Sequence, residues 1–179
     1  MGMFDADAFV AECLAARAEA EPRLAIKAVL EAALARPAEI ADALPPTRAE
    51  LVRLHVSDEL TVLKVVWAPG MTLRPHDHQM WAAIGIYTGG EDNAFFRRSD
   101  ATRVASGGKS LLPGDLTLLG DDVIHSVTNP TAQHAGAIHI YGGDFFAMPR
   151  SEWDGDPLTE QPYDVDRTLA QFEAANRAS

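Results

Sequence analysis

His76 and His78 are the residues of this sequence best placed to do chemistry. They lie two apart in Gly70-Met-Thr-Leu-Arg-Pro-His76-Asp-His78. On a strand, residues two apart project to the same face. The spacing therefore presents two imidazoles side by side, able to chelate one metal ion. A third ligand has to come from another strand, and His125 is the best candidate. It stands in Val123-Ile-His125-Ser-Val127, where Val123 and Val127 share its face and mark that face as inward. Imidazole suits Fe, Zn, Cu and Ni alike, so the ligand set alone does not name the metal. The bland alternative is a surface pair at a sheet edge together with an unrelated core histidine. His55 and His134, in an edge strand and a turn, read as structural.

These histidines need strands to hold them, and residues 51–146 supply the pattern. Short runs of Val, Ile, Thr, Leu and aromatics alternate with turn signals. Among these are Pro69-Gly70, Gly89-Gly90, Gly107-Gly108, Pro113-Gly114, Gly120-Asp121-Asp122, Asn129-Pro130 and Gly142-Gly143. Short strands repeating roughly every 8–12 residues predict an all-β sandwich or barrel. No long helical pattern interrupts them, which argues against a parallel βαβ sheet. Residues 5–44 read as helical: Phe9, Cys13 and Leu14, then Ile26, Val29, Leu30, Ala33 and Leu34, recur at helical spacing. Asp5 or Asp7 caps the first helix, Glu21-Pro22 separates it from the second, and Pro45-Pro46 ends the helical region. Residues 164–176 read as a last helix with Val165, Leu169 and Phe172 on one side. The chain is expected to be a single domain over 1–179.

Composition bounds the partners. A formal net charge of -11 in 179 residues offers no basic excess to displace counterions, which disfavours nucleic acid and anionic membranes. No apolar run is long enough to span a bilayer, and the acidic N-terminus does not read as a signal peptide. Cys13 is the one cysteine, so no internal disulfide can form. A cytoplasmic setting and a monomer or homodimer are the expectations.

Two stretches resemble the paired motifs of the cupins. Gly70-x5-His76-x-His78 matches the first half of the first motif. Gly114-x5-Gly120-x-Asp122-x2-His125-x3-Asn129 matches the spacing of the second, with Gly120 for the usual Pro and Asp122 for the usual Gly. The resemblance implies a double-stranded β-helix (a cupin or jelly-roll barrel) with N-terminal helices and a short C-terminal helix. The first motif normally ends in a glutamate ligand; here Ala82 and Ala83 occupy those places. Three neutral imidazoles leave the full charge on a divalent ion, which favours anionic ligands such as thiolate and leaves open positions.

A three-histidine cupin preceded by helices resembles the thiol dioxygenases, cysteine dioxygenase and its bacterial relatives. Trp67-Ala-Pro-Gly70, Trp81-Ala-Ala-Ile-Gly85 and His139-Ile-Tyr141 are similar to that family. The resemblance implies a Fe(II) cofactor, with Ni, Zn or Mn as alternatives. It implies O2 and a small thiol, cysteine or a mercapto-acid, as substrates and a sulfinate as product. Tyr141, oriented by His139, would then hydrogen-bond the oxygen or the thiolate. Trp81 would wall the pocket, and Arg53 would pair with the substrate carboxylate, with Arg74, Arg97 and Arg98 as rivals. The family's Ser-x-His-x-Tyr begins here with Ala137, and no cysteine is available to crosslink the tyrosine. Glu91-Asp92-Asn93-Ala-Phe-Phe-Arg97-Arg98, Gly120-Asp121-Asp122-x-x-His125-Ser126 and Tyr141-Gly-Gly-Asp-Phe-Phe146 are similar to a poorly characterised branch. Two rivals stay open: a cupin dioxygenase or isomerase acting on a non-thiol small molecule, and a non-catalytic metal- or ligand-binding cupin.

Overall fold

A computed structural model of the chain describes residues 3–97 and 105–178. Three helices come first: α1 (Ala6–Arg17), α2 (Pro22–Leu34) and α3 (Pro37–Ala43). Asp5 is the cap of α1, its carboxylate accepting from the amides of Asp7 and Ala8. Proline opens both α2 and α3, where its missing N–H costs nothing.

Eleven strands follow: β1 (Glu50–Val56), β2 (Thr61–Trp67), β3 (Thr72–His76), β4 (Ala82–Thr88), β5 (Glu91–Phe96), β6 (Ala105–Leu111), β7 (Leu116–Leu119), β8 (Ile124–Thr128), β9 (Ala135–Tyr141), β10 (Ser151–Asp154) and β11 (Thr159–Pro162). The chain ends in α4 (Val165–Ala178). One sheet has the order β1-β2-β9-β4-β7 and the other β11-β10-β3-β8-β5-β6, and their pairings are antiparallel. The fold is a double-stranded β-helix of two antiparallel sheets with helices at both ends of the chain.

The five-stranded sheet is covered on both faces, so β2 and β9 are buried along their whole length. Leu63, Val65, Trp67, Ile84, Ile86 and Tyr141 point into the barrel. Val62, Ala83, Tyr87, Ile138 and Ile140 point the other way, against Ile26, Leu30 and Leu34 of α2 and against Ile40 of α3. Gly85 allows that approach: a Cβ there would lie 2.4 Å from the Leu34 side chain.

Three features depart from the sequence reading. Gly107 and Gly108 lie inside β6 rather than in a turn. The barrel also continues past Phe146 into β10 and β11. Those strands have four residues each, and β11 carries Pro162 at the sheet edge, so neither shows the alternation that marks a strand. Finally, α4 is pinned over the barrel. Asn176 bonds both backbone groups of Ala49, and Gln171 donates to the Thr72 carbonyl and accepts from Arg74. Among the described residues no helix is long and apolar enough to cross a membrane.

Candidate metal centre

His76 ends β3 and pairs in register with His125 of β8. Pro75 interrupts the ladder just before it, where the register shifts between Leu73 and His76. A proline is tolerated at such an irregularity because its missing N–H is not needed there. His78 lies beyond the strand, so its inward aim does not come from strand alternation. Asp77 supplies it. Its amide donates to the Ser151 carbonyl, and its carboxylate accepts from the Ser151 amide at 2.8 Å and from Gln79 at 2.7 Å. Gln79 takes a left-handed φ of 54° to turn the chain away. Asn129 ties the far end of β8 to β2, donating to the carbonyls of Trp67 and Ala68.

The three imidazoles converge. Their ligand nitrogens lie within 4.8 Å of one another, and all three residues are buried. His76 Nδ1 is 3.0 Å from the Arg74 carbonyl, which can only accept, so its Nε2 keeps the lone pair. His125 Nδ1 is 2.7 Å from Asn93 Oδ1, since the Asn93 amide nitrogen is used in donating to Glu91. His125 Nε2 therefore turns a lone pair towards His78 Nε2, 3.4 Å away. Lone pairs gathered at one point in an apolar wall are poorly placed unless a cation lies among them. The donor set fits a divalent transition metal held by three nitrogens.

Burial keeps every imidazole here neutral. It lowers His76 to about 4 and His139 to about 3, and it takes His78 and His125 well below the ordinary histidine range. Neutral imidazole is the ligand form, so the site is set to bind metal without first releasing protons.

Asn93→Ala removes the acceptor that orients His125. Metal affinity should fall about 10–100-fold, the usual cost of losing a partner behind a metal ligand. Competition against a chromophoric chelator measures it, and an unchanged affinity would show that Asn93 does not orient the ring.

Around the histidines lies a cavity of about 20 Å³, walled by Leu51, Val65, Trp67, Leu73, Val127 and Phe145 and closed by Tyr163, Thr168 and Phe172. That is room for an ion or one water. Tyr141 and His139 join this wall. The Tyr141 ring packs edge-on to His78 at 5.0 Å, and its hydroxyl is 2.8 Å from His139 Nδ1. Both line the cavity.

Trp81 and Arg53 do not. Trp81 stands with Ala83 on the outward face of β4 and packs towards the helices. Its indole lies over Gly142, where a Cβ would be 2.2 Å away. The tryptophan of the pocket is Trp67, which reaches it from β2. Both faces of β4 are apolar because the sheet is covered on both sides, so hydrophobicity could not tell which face was inward. Arg53 is exposed in the middle of β1, just before the ladder shifts register, and its guanidinium lies 3.9 Å from the Phe146 ring centroid. Among its rivals, Arg74 is paired with buried Glu152 at 3.0 Å, and Arg97 lines a different cleft beside Lys109. Arg98 lies outside the described residues.

The cation the sequence reading missed is Arg150. It is buried behind two of the pocket walls, its guanidinium 3.9 Å from the Tyr163 ring centroid and 4.2 Å from that of Phe145, and it lines the neighbouring cleft with Gln79 and Ser151. One nitrogen donates to the carbonyls of Phe145 and Met148. Its Nε and Nη2 have no hydrogen-bond partner, and among the described residues no carboxylate pairs with it. A buried unpaired guanidinium is costly in a folded protein and therefore worth explaining. Its position after the predicted barrel offered no periodicity by which to find it.

No family model matches this sequence. Solved structures similar to it include an RmlC-like cupin family protein from Methanocaldococcus jannaschii. It is 9% identical, with 57% of this chain and 87% of that one covered and a TM-score of 0.47. An uncharacterised double-stranded β-helix protein from Klebsiella pneumoniae is 13% identical, with 59% and 82% covered and a TM-score of 0.46. Oxalate oxidase is 16% identical, with 48% of this chain covered and a TM-score of 0.42. The match spans only 42% of the oxalate oxidase chain.

Proposed function

We propose that this protein is a mononuclear non-haem Fe(II) dioxygenase that oxidises a small anionic thiol, cysteine or a mercapto-acid, to its sulfinate. One observation carries the reading. Three buried neutral imidazoles, with no carboxylate among them, stand across an aromatic wall from an unpaired buried guanidinium. Bound Fe(II) would supply the transfer of both oxygen atoms of O2 to sulfur, RSH + O2 giving RSO2H, while the protein supplies everything around it.

His76, His78 and His125 hold the ion with its charge uncompensated, which favours a thiolate over a neutral ligand. Arg150 Nε and Nη2 offer two parallel donors to a carboxylate, the geometry that fits an amino or mercapto acid. Tyr141, steadied by His139 and with its ring 5.0 Å from that of His78, would hydrogen-bond the sulfur. Phe145, Phe172 and Tyr163 exclude water, which strengthens each of these interactions.

Oxygen uptake by iron-loaded protein tests this against a panel of thiols. Consumption is expected with carboxylate-bearing thiols and much less with cysteamine, which has no carboxylate. No uptake with any thiol would sink the proposal and favour a binding protein or a non-thiol enzyme.

A further inference from the structure

Glu91 opens β5 directly after the Gly89-Gly90 turn, and its side chain is completely buried. Among the described residues no lysine or arginine pairs with it; its one ion-pair contact is His139, with Oε2 3.9 Å from Nε2. The two oxygens also accept hydrogen bonds, Oε2 from the Trp67 indole at 3.0 Å and Oε1 from the Asn93 amide at 2.9 Å. Burial pushes its pKa up to about 7, and these two bonds oppose that rise. His139 Nε2 is itself buried and has no hydrogen-bond partner. So one carboxylate reaches two histidines: His125 through Asn93, and His139 across an ion-pair gap.

We propose that Glu91 is a positioning residue that sets the direction of the His139–Tyr141 hydrogen bond. A carboxylate facing Nε2 favours the tautomer with hydrogen on that nitrogen; a bare lone pair there would face the negative charge. Nδ1 then has only a lone pair, so it must accept from the Tyr141 hydroxyl at 2.8 Å. Which ring nitrogen carries the hydrogen is set by what the other one meets. The Tyr141 oxygen consequently turns lone pairs to the pocket and receives a hydrogen from whatever enters. For the proposed substrate that hydrogen is the one the thiol carries on entry and gives up as its sulfur binds the ion as thiolate. The role at sulfur rests on the thiol reading, whereas the tautomer is a property of the protein alone. Glu91 thereby orients the relay in a protein whose position 137 carries no hydroxyl.

Histidine nitrogen NMR on the zinc-loaded, and therefore diamagnetic, protein tests this without substrate. Native His139 is expected as the Nε2–H tautomer. E91Q should lose that preference and populate the Nδ1–H form, while Glu91→Asp, which keeps the charge, should retain it. In oxygen-uptake assays E91Q should lower kcat about tenfold with little change in KM. A native spectrum showing Nδ1–H overturns the proposal even if E91Q fails to fold. An E91Q spectrum identical to native overturns it as well. If no thiol is oxidised, the tautomer arm still decides the question, so failure of the thiol reading is distinguishable.

Discussion

His125→Ala should leave the protein unable to hold a metal ion. His125 contributes one of three ligands and closes the site from the strand opposite His76. Without it, two imidazoles remain, and the Asn93 carbonyl oxygen loses its donor. Losing a partner behind a ligand costs 10–100-fold, so losing the ligand itself should cost at least about 1,000-fold in affinity. Metal content after dialysis, read by elemental analysis, measures it. Thermal unfolding of the metal-free forms separates this from misfolding. Metal stabilises only the form that binds it, by RT ln(1 + [L]/Kd). The metal-dependent rise in Tm should therefore vanish in the variant while the metal-free protein still unfolds cooperatively. Full iron occupancy in His125→Ala would show that the three histidines are not the site.

Arg150→Gln should raise KM for a carboxylate-bearing thiol about 100-fold. Hydrogen bonds to charged groups are worth roughly 1.5–3 kcal/mol each, and two parallel ones add geometric selection. The loss should fall mainly on KM, because the carboxylate is bound alike in ground and transition states. Cysteamine, having no carboxylate to place, should respond little to the substitution. Arg53→Gln, the change that sequence reasoning would have chosen, should move KM less than about twofold on the scale of an exposed surface charge. Arg150→Gln also gives up the hydrogen bonds to the Phe145 and Met148 carbonyls and two ring contacts, so it should melt somewhat below the native chain while still unfolding cooperatively. Steady-state oxygen uptake and thermal melts together check this. An unchanged KM would remove Arg150 from the substrate site.

The three-histidine cluster was readable because it is carried by motif spacing. The two motifs put histidines at fixed intervals from turn glycines, and a turn stays a turn wherever the chain goes. Tyr141 and His139 were readable for the same reason, as neighbours two apart on one strand. Arg53, Trp81 and Arg150 were not, and each failed on a different physical ground. Trp81 depends on which face of β4 is inward, which a sheet buried on both sides does not reveal. Arg53 depends on where a strand's register shifts. Arg150 depends on β10 and α4 returning over the barrel, an arrangement of short elements without periodicity.

By itself, then, the sequence determined an all-β barrel with helices at its ends and the spacing of His76, His78 and His125 in two motifs, while the double-stranded β-helix and the Tyr141–His139 pair followed from the resemblance those motifs carry. Turn chemistry and residue spacing are local. The tertiary structure alone decided that Asp77 and Gln79 aim His78, that Trp67 rather than Trp81 walls the pocket, and that Arg150 is buried behind its aromatic wall. It also decided that Glu91 reaches His125 through Asn93 and faces His139. Each of those is a contact between segments far apart in the chain, set by packing, and no local pattern encodes it.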